Sequence, residues 1–109
     1  MDHVYVALRW PTSRKMDHEY LAITLGNLGS AYRDLGDAAR AKELYERALA
    51  IKEAAYGADH VEVARTLGDL GLAYADLGDA ARAKALHERS LAIMEAAYGV
   101  DHVEVARNA

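Results

Sequence analysis

The chain has 109 residues, of which 52% are hydrophobic and 28% charged, with one proline, no cysteine and no phenylalanine. Its net charge of -4, with acids and bases interspersed, excludes the basic stripe by which nucleic-acid-binding proteins neutralise phosphates. The lack of cysteine excludes disulfides and thiolate chemistry, and no apolar run approaches the roughly 18 residues that cross a bilayer, so we expect a cytoplasmic protein without a membrane partner.

The sequence repeats itself with a period of 42 residues. Residues 17–58 and 59–100 are identical at 30 of 42 positions, and a third copy begins at residue 101 as DHVEVAR. Periods of about 20 to 50 residues are typical of stacked repeat arrays. We therefore divide the chain into an N-terminal segment (1–16), a first repeat (17–58), a second repeat (59–100) and the start of a third repeat (101–109).

The N-terminal segment does not fit the 42-residue frame, although its DHVYVAL resembles the DHVEVAR of the repeats. This resemblance predicts a short helix over about residues 3–9. Pro11 disfavours helical geometry at the residue before it and lacks the amide that an interior turn needs. We therefore predict a linker over residues 11–15, and the other interpretation of this N-terminal segment is a disordered leader.

Each full repeat predicts two helices. Asp17, Asp59 and Asp101 are candidate caps of the first helices, and Glu62 and Glu104 would complete capping boxes in the later copies. Apolar residues at three- and four-residue steps predict the buried faces of the first helices. These are Leu21, Leu25, Leu28, Tyr32 and Leu35 in the first repeat, and Val63, Leu67, Leu70, Tyr74 and Leu77 in the second.

The second helix of each repeat follows after a very short turn. Gly36 and Gly78 supply the left-handed residue that ends the first helices, and Asp37 and Asp79 cap the second ones. The second helices are predicted over about residues 38–56 and 80–98, closed by Gly57 and Gly99. So short a turn allows only an antiparallel hairpin.

Four glycines lie inside the predicted first helices, where each costs roughly 1 kcal/mol relative to alanine. We attribute Gly26, Gly29, Gly68 and Gly71 to close packing of the first helix of each hairpin against the second. A phosphate-binding glycine loop does not fit, because amides in the middle of a helix are already hydrogen-bonded.

The order of these features resembles the tetratricopeptide repeat. In the first copy Leu28-Gly29 is followed by Tyr32, by the Leu-Gly-Asp turn, and by Ala41, Tyr45 and Ala48 on the second helix. The second copy departs from this pattern with His87 and Ser90. The 42-residue period is similar to the extended version found in kinesin light chains and in bacterial signalling proteins. The resemblance implies an all-α fold in which antiparallel hairpins stack as a right-handed superhelical solenoid.

The resemblance also implies a concave face, lined by the first helices, that binds extended or helical peptide segments. The side of the first helices opposite the Leu/Tyr stripe gives the candidate contacts, and Asn27 matches a position that family members use toward a ligand backbone. The other interpretation is a solvated helix face. The candidate peptide-binding residues are Ile23, Asn27, Ser30, Asp34, Arg65, Asp69, Leu72, Asp76 and Arg107.

Catalysis and metal binding are disfavoured by the spacing of the polar residues. Three of the five histidines follow a repeated aspartate, which separates them by at least an interhelical distance of about 8–10 Å, too far to share one metal ion. We expect these histidines to act locally at helix starts. No Ser, His and Asp set is brought together, so we expect no enzyme, metal or cofactor.

Two functions are therefore carried forward: an interaction scaffold that binds a protein or peptide ligand, and a structural repeat that self-assembles through its ends. Two hairpins leave two apolar ends, and repeat arrays usually need at least about three units. We expect the second helix of the second repeat to offer Leu86, Ile93, Met94 and Ala97 to a neighbour. The sequence predicts a homo-oligomer, with a closed dimer through C-terminal ends favoured over a ring or filament.

Overall fold

Four α-helices joined by three short turns make up the part of the chain that the structure describes. In the computed structural model the backbone is described for residues 11–108 and the side chains for residues 17–99. The helices are α1 (Pro11–Asp34), α2 (Ala38–Tyr56), α3 (Val61–Asp76) and α4 (Ala80–Asn108). Gly99 interrupts α4 with the non-helical angles φ 81° and ψ 161°. The described residues contain no strand, and the all-α prediction is confirmed.

Consecutive helices pack side by side. The pairs α1 with α2 and α3 with α4 form antiparallel hairpins, and α2 packs on α3 to stack one hairpin on the other. α1 also touches α3, so the first helices of the two repeats lie on the same side of the stack. None of the described helices is long and apolar enough to cross a membrane.

The first helix begins earlier than the sequence predicted. α1 starts at Pro11, so the predicted linker over residues 11–15 is wrong, and Asp17 lies within the helix rather than at its cap. Proline fits the first turn of a helix because its missing amide would have no intrahelical partner there. The predicted helix over residues 3–9 lies outside the described residues.

The turn inside each hairpin follows from the sequence Leu-Gly-Asp. φ is +85° at Gly36 and +86° at its equivalent in the second turn, a region that favours glycine. The Asp37 amide donates to the Tyr32 carbonyl oxygen at 2.8 Å, and its carboxylate accepts from the Arg40 amide at 3.1 Å. Residues 77–79 make the same contacts in the second repeat. The predicted turns and second-helix caps are confirmed.

The connection between the repeats is capped by a different residue from the one predicted. The N-cap of α3 is His60, whose Nδ1 accepts a hydrogen bond from the Glu62 amide at 3.0 Å, so the predicted cap at Asp59 is wrong. The imidazole is held in place by stacking on Tyr56, with the ring centroids 4.7 Å apart. A local role for this histidine is confirmed. The side chains of Asp101 and Glu104 lie outside the described residues.

Three clusters of buried side chains connect the helices in sequence. They lie between α1 and α2, between α2 and α3, and between α3 and α4. Their members are Ala22, Leu25 and Ala48 in the first; Ala41, Tyr45, Leu70 and Ala73 in the second; and Val63, Ala64, Leu67 and Ile93 in the third.

The predicted apolar stripe of α1 is only partly buried. Leu25 is buried, but Leu21 and Leu28 are exposed, whereas their equivalents Val63 and Leu70 in α3 are buried. The difference arises because α3 has α2 packed behind it, while no described helix covers the same side of α1. The leucines at the ends of the two stripes, Leu35 and Leu77, are also exposed.

The exposed apolar residues of α4 also differ from the prediction. Ile93 is buried against α3 in the third cluster, so it does not face outward toward a third repeat. Leu86 is half-buried against the second and third clusters. Of the other two predicted residues, Ala97 is exposed and Met94 lines an open cavity, and the large apolar side chains exposed on the described part of α4 are Leu91 and Tyr98.

Close helix packing accounts for two of the four helical glycines. A Cβ on Gly29 would lie 2.9 Å from the Tyr45 ring, and one on Gly71 would lie 2.8 Å from the His87 imidazole. A Cβ on Gly26 or Gly68 would meet nothing within 4 Å. The packing explanation is therefore confirmed for the first pair and wrong for the second.

Candidate functional site

A polar crevice runs between the first helices of the two repeats. We call it the α1–α3 crevice, and its accessible volume is about 90 Å³. It exists because α1 and α3 lie side by side, with α2 beneath them. Its walls are Ala22, Ile23, Gly26, Asn27 and Ser30 from α1, Arg65, Thr66 and Asp69 from α3, and Lys52 from α2.

The crevice brings together five of the nine predicted binding residues: Ile23, Asn27, Ser30, Arg65 and Asp69. Three others, Asp34, Leu72 and Asp76, are exposed but do not line it. The ninth, Arg107, lies outside the residues whose side chains are described.

Asp76 links the two first helices beyond the crevice. Its Oδ2 accepts a hydrogen bond from Arg33 Nε at 2.7 Å, which joins the last turn of α1 to the last turn of α3. Both side chains remain about one third exposed, so the pair is screened by water and contributes little to stability. In the described fold it is a polar contact between the two helices that form the walls.

Two side chains in the crevice differ in their freedom to meet a ligand. The Ser30 hydroxyl shares a hydrogen bond of 2.8 Å with the Tyr45 hydroxyl, which ties Ser30 to the buried interior. The Asn27 side chain is exposed and makes no hydrogen bond to the described residues. Its amide can donate and accept at once, as a peptide backbone requires.

The floor of the crevice contains a buried lysine that sequence reasoning missed. Lys52 is only 8% exposed, and its Nζ lies 3.9 Å from Glu62 Oε1. Lysine is rarely buried to this extent without a partner. A signal was present in the sequence, since the second repeat has Met94 at the equivalent position, which marks it as an inward-facing site. Thr66, also buried and also missed, lies beside it.

The electrostatics of the crevice centre on Asp69. Burial raises the pKa of the Asp69 carboxyl, and this effect outweighs the opposing influence of Lys52, Arg65 and Arg33. Burial raises a carboxyl pKa because the charged form loses hydration. Burial therefore destabilises the ionised form of the Asp69 carboxyl, although positively charged side chains lie near it.

A second and larger cavity lies between α3 and α4 at the other end of the stack. We call it the α3–α4 pocket, and its accessible volume is about 350 Å³. Its lining is mainly apolar, with three polar members. The lining residues are Val61, Glu62, Ala64, Arg65, Ser90, Met94 and Tyr98. Ser90 donates a hydrogen bond to the Ala64 carbonyl oxygen at 2.8 Å, which fixes one wall.

Neither cavity gathers the ligands of a metal ion. Among the side chains of residues 17–99, no group of three or more His, Asp or Glu converges to hold one. The polar groups of the α1–α3 crevice are an amide, hydroxyls, two cations and one carboxylate. Such a set can bind a peptide segment through hydrogen bonds and charge.

Comparison with known proteins agrees with this architecture. A family model described as tetratricopeptide repeat matches residues 20–96, which span both hairpins. No curated protein sequence matches the chain. The matched region is more than half of the 109 residues and contains both Leu-Gly-Asp turns and both glycine contact points. The chain therefore belongs to the tetratricopeptide repeat family.

Proposed function

We propose that this chain is a non-catalytic interaction module that binds a segment of another protein in the α1–α3 crevice. Membership of the tetratricopeptide repeat family supports a role in protein–protein interaction. The observation that carries the finer proposal is the open space at Gly26, beside the exposed amide of Asn27.

Gly26 destabilises α1, and no close helix contact at this position requires a glycine. Glycine inside a helix destabilises it by roughly 1 kcal/mol relative to alanine. A Cβ at this position would meet nothing, so the fold itself does not require glycine there. Since Gly26 lines the crevice, the missing side chain leaves room for a ligand backbone to approach α1.

The polar residues beside Gly26 suit a peptide in extended form. Asn27 can bond a backbone N–H and C=O together, as described above. Arg65 on α3 and Lys52 in the floor place positive charge in the crevice, together with the carboxyl of Asp69 on α3. This combination favours a ligand that presents backbone polar groups and at least one acidic side chain.

The test starts from peptides selected on the immobilised protein from a displayed library of linear sequences. A selected peptide is then titrated into the protein while the backbone amides are followed by NMR. We expect the largest shifts at residues 22–30 and 65–69. Shifts confined to the exposed side of α2, around Ala39 and Glu43, would contradict the crevice as the binding surface.

A second candidate function is self-association through the ends of the stack. The observation that favours it is the contrast between two equivalent leucines: Leu28 on α1 is 47% exposed, whereas Leu70 on α3 is 3% exposed. Burial of an apolar side chain of this size contributes roughly 1.5–3 kcal/mol. A neighbour that covers α1 as α2 covers α3 would recover this stabilisation.

A further inference from the structure

We propose that a second copy of the chain docks at the end of the stack. The α1 helix of the second copy packs on α4 of the first copy, in the same register in which α3 packs on α2 within one chain. The proposal rests on the second candidate function and gives it an interface. The two hairpins are equivalent in sequence, so the junction inside one chain serves as a template for a junction between two chains.

The inner junction between the two hairpins combines apolar packing of α2 on α3 with two polar links, one from α2 to α3 and one from α2 to α4. Leu49 of α2 packs against the cluster that contains Leu70 and against the one that contains Val63. The Tyr74 hydroxyl of α3 donates to Glu46 Oε2 of α2 at 3.0 Å. A second link joins Glu53 to Arg89 of α4 at 2.7 Å.

The apolar half of this junction is available at the ends. A shift of 42 residues maps Leu49 onto Leu91, which is 50% exposed on α4. The opposite shift maps Leu70 onto Leu28 and Val63 onto Leu21, both exposed on α1. Docking in the proposed register brings Leu91 of one chain against Leu28 and Leu21 of the next.

The polar half is present as well, with Glu88 also accepting a hydrogen bond from Lys84 at 2.8 Å within α4. The pair Tyr74 and Glu46 maps onto Tyr32 of the second copy and Glu88 of the first. The pair Arg89 and Glu53 maps onto Arg47 of the second copy and Glu95 of the first. Each donor and each acceptor keeps its chemical type, so hydrogen bonds and charges match across the interface.

One contacting pair of residues differs in chemical type between the inner junction and the ends, and both of its members change. At the inner junction Lys52 lies near Glu62. The equivalent residues at the ends are Met94 on α4 and Tyr20 on α1, which turns a charged contact into an apolar one. Tyr20 is 73% exposed, and Met94 lines the open α3–α4 pocket. The proposed register places the Tyr20 ring of the second copy in this pocket, beside Met94 and Tyr98.

One inner contact has no counterpart. The pair Arg33 and Asp76 maps onto Asp34 of the second copy and Ala75 of the first, so this ion pair is lost. An exposed ion pair contributes only about 0–1 kcal/mol, and its loss does not oppose the apolar contacts.

The test uses variants of the whole 109-residue chain in which one end at a time is blocked. Leu28→Glu places a charge on the α1 end and Leu91→Glu places one on the α4 end; both residues are exposed, so circular dichroism should report unchanged folding. Ala81→Glu is the matched control, because Ala81 and its equivalent Ala39 are both exposed. The mass of each species is followed by sedimentation velocity over a concentration series.

We expect the unchanged chain and Ala81→Glu to form species larger than the 11.9 kDa chain, and each blocked variant to stay monomeric alone. An equimolar mixture of the two blocked variants should form a dimer that grows no further, because one intact junction remains. Association that survives Leu28→Glu and is lost with Leu91→Glu would indicate a two-fold contact between α4 ends and overturn the register. A monomer at every concentration would overturn self-association itself, and neither result bears on peptide binding in the crevice.

Discussion

Gly29 and Tyr45 meet so closely that a single methyl group at residue 29 would lie 2.9 Å from the tyrosine ring. Tyr45 is 1% exposed, and its hydroxyl is hydrogen-bonded to Ser30, so the ring has no space into which to retreat. We expect Gly29→Ala to lower the free energy of unfolding by about 1–3 kcal/mol through overpacking. Urea unfolding followed by circular dichroism measures this change.

The control for that substitution lies one turn earlier on the same helix. Gly26→Ala adds the same methyl group in open space, so only the gain in helix propensity remains, roughly 1 kcal/mol of stabilisation. Opposite signs for the two variants are the expected result. Stabilisation by both would mean that Gly29 does not limit the approach of α1 to α2.

The second repeat has the same contact with a less confined partner. Gly71 faces His87, whose side chain is exposed and can turn away from a small group. Gly71→Val should therefore cost roughly 1–3 kcal/mol, and less than Gly29→Val does at the equivalent position. Thermal unfolding of both variants makes the comparison. An equal melting temperature for Gly71→Val and the unchanged chain would contradict the contact with His87.

The sequence predicted local geometry better than burial. The turn at Gly36 follows from local chemistry, since a left-handed residue and a capping aspartate act within a few residues of chain. The burial of Leu28 depends on what lies behind α1, which no local pattern contains. Lys52 was missed for a related reason, because its place beneath the α1–α3 crevice arises only when two repeats stack.

Substitution of Asn27 and Arg65 tests peptide binding without disturbing the fold. Both side chains are exposed, so Asn27→Ala with Arg65→Ala should change the free energy of unfolding by less than about 0.5 kcal/mol per site. The affinity for a selected peptide should fall, because the amide and one cation of the crevice are gone. Glu43→Ala, on the exposed side of α2, is the control for both readouts. Undiminished peptide affinity in the double variant, measured by calorimetry, would remove the crevice assignment.

Asp69 makes the stability of the fold depend on pH in a specific direction. The pKa of its carboxyl is raised by burial, so the folded chain holds this proton more tightly than the unfolded chain does. The resulting stability is present below the unfolded pKa and is lost as the pH rises through the folded pKa. Asp69→Asn should therefore be more stable than the unchanged chain near neutral pH, and the gap should narrow in acid.

The measurement for Asp69 is the difference in unfolding free energy between the two proteins across an acid-to-neutral series. Other titrating groups are common to both and cancel in this difference. A gap that widens toward acid pH would show that the neighbouring cations, rather than burial, dominate the carboxyl. Loss of peptide binding in the stabilised variant would indicate that the charge is retained for the ligand.

Substitution of Lys52 tests whether the polar floor of the α1–α3 crevice lowers the free energy of unfolding. Its side chain is buried while its partner Glu62 is 46% exposed and 3.9 Å away, so the attraction is weak and the desolvation of the ammonium group is large. Replacing a buried ion pair by apolar groups is often neutral or stabilising. Here only the lysine needs to change, because Glu62 keeps its contact with water and Asp69 keeps Arg65 and Arg33 as cationic neighbours. Lys52→Met, which gives the first repeat the residue that the second has at Met94, should raise the free energy of unfolding by on the order of 1 kcal/mol.

Lys84→Met is the control, since that lysine pairs with Glu88 on the surface and its loss should change the free energy of unfolding by less than about 0.5 kcal/mol. Destabilisation by Lys52→Met beyond that of the control would mean that the pair with Glu62 holds the two repeats together.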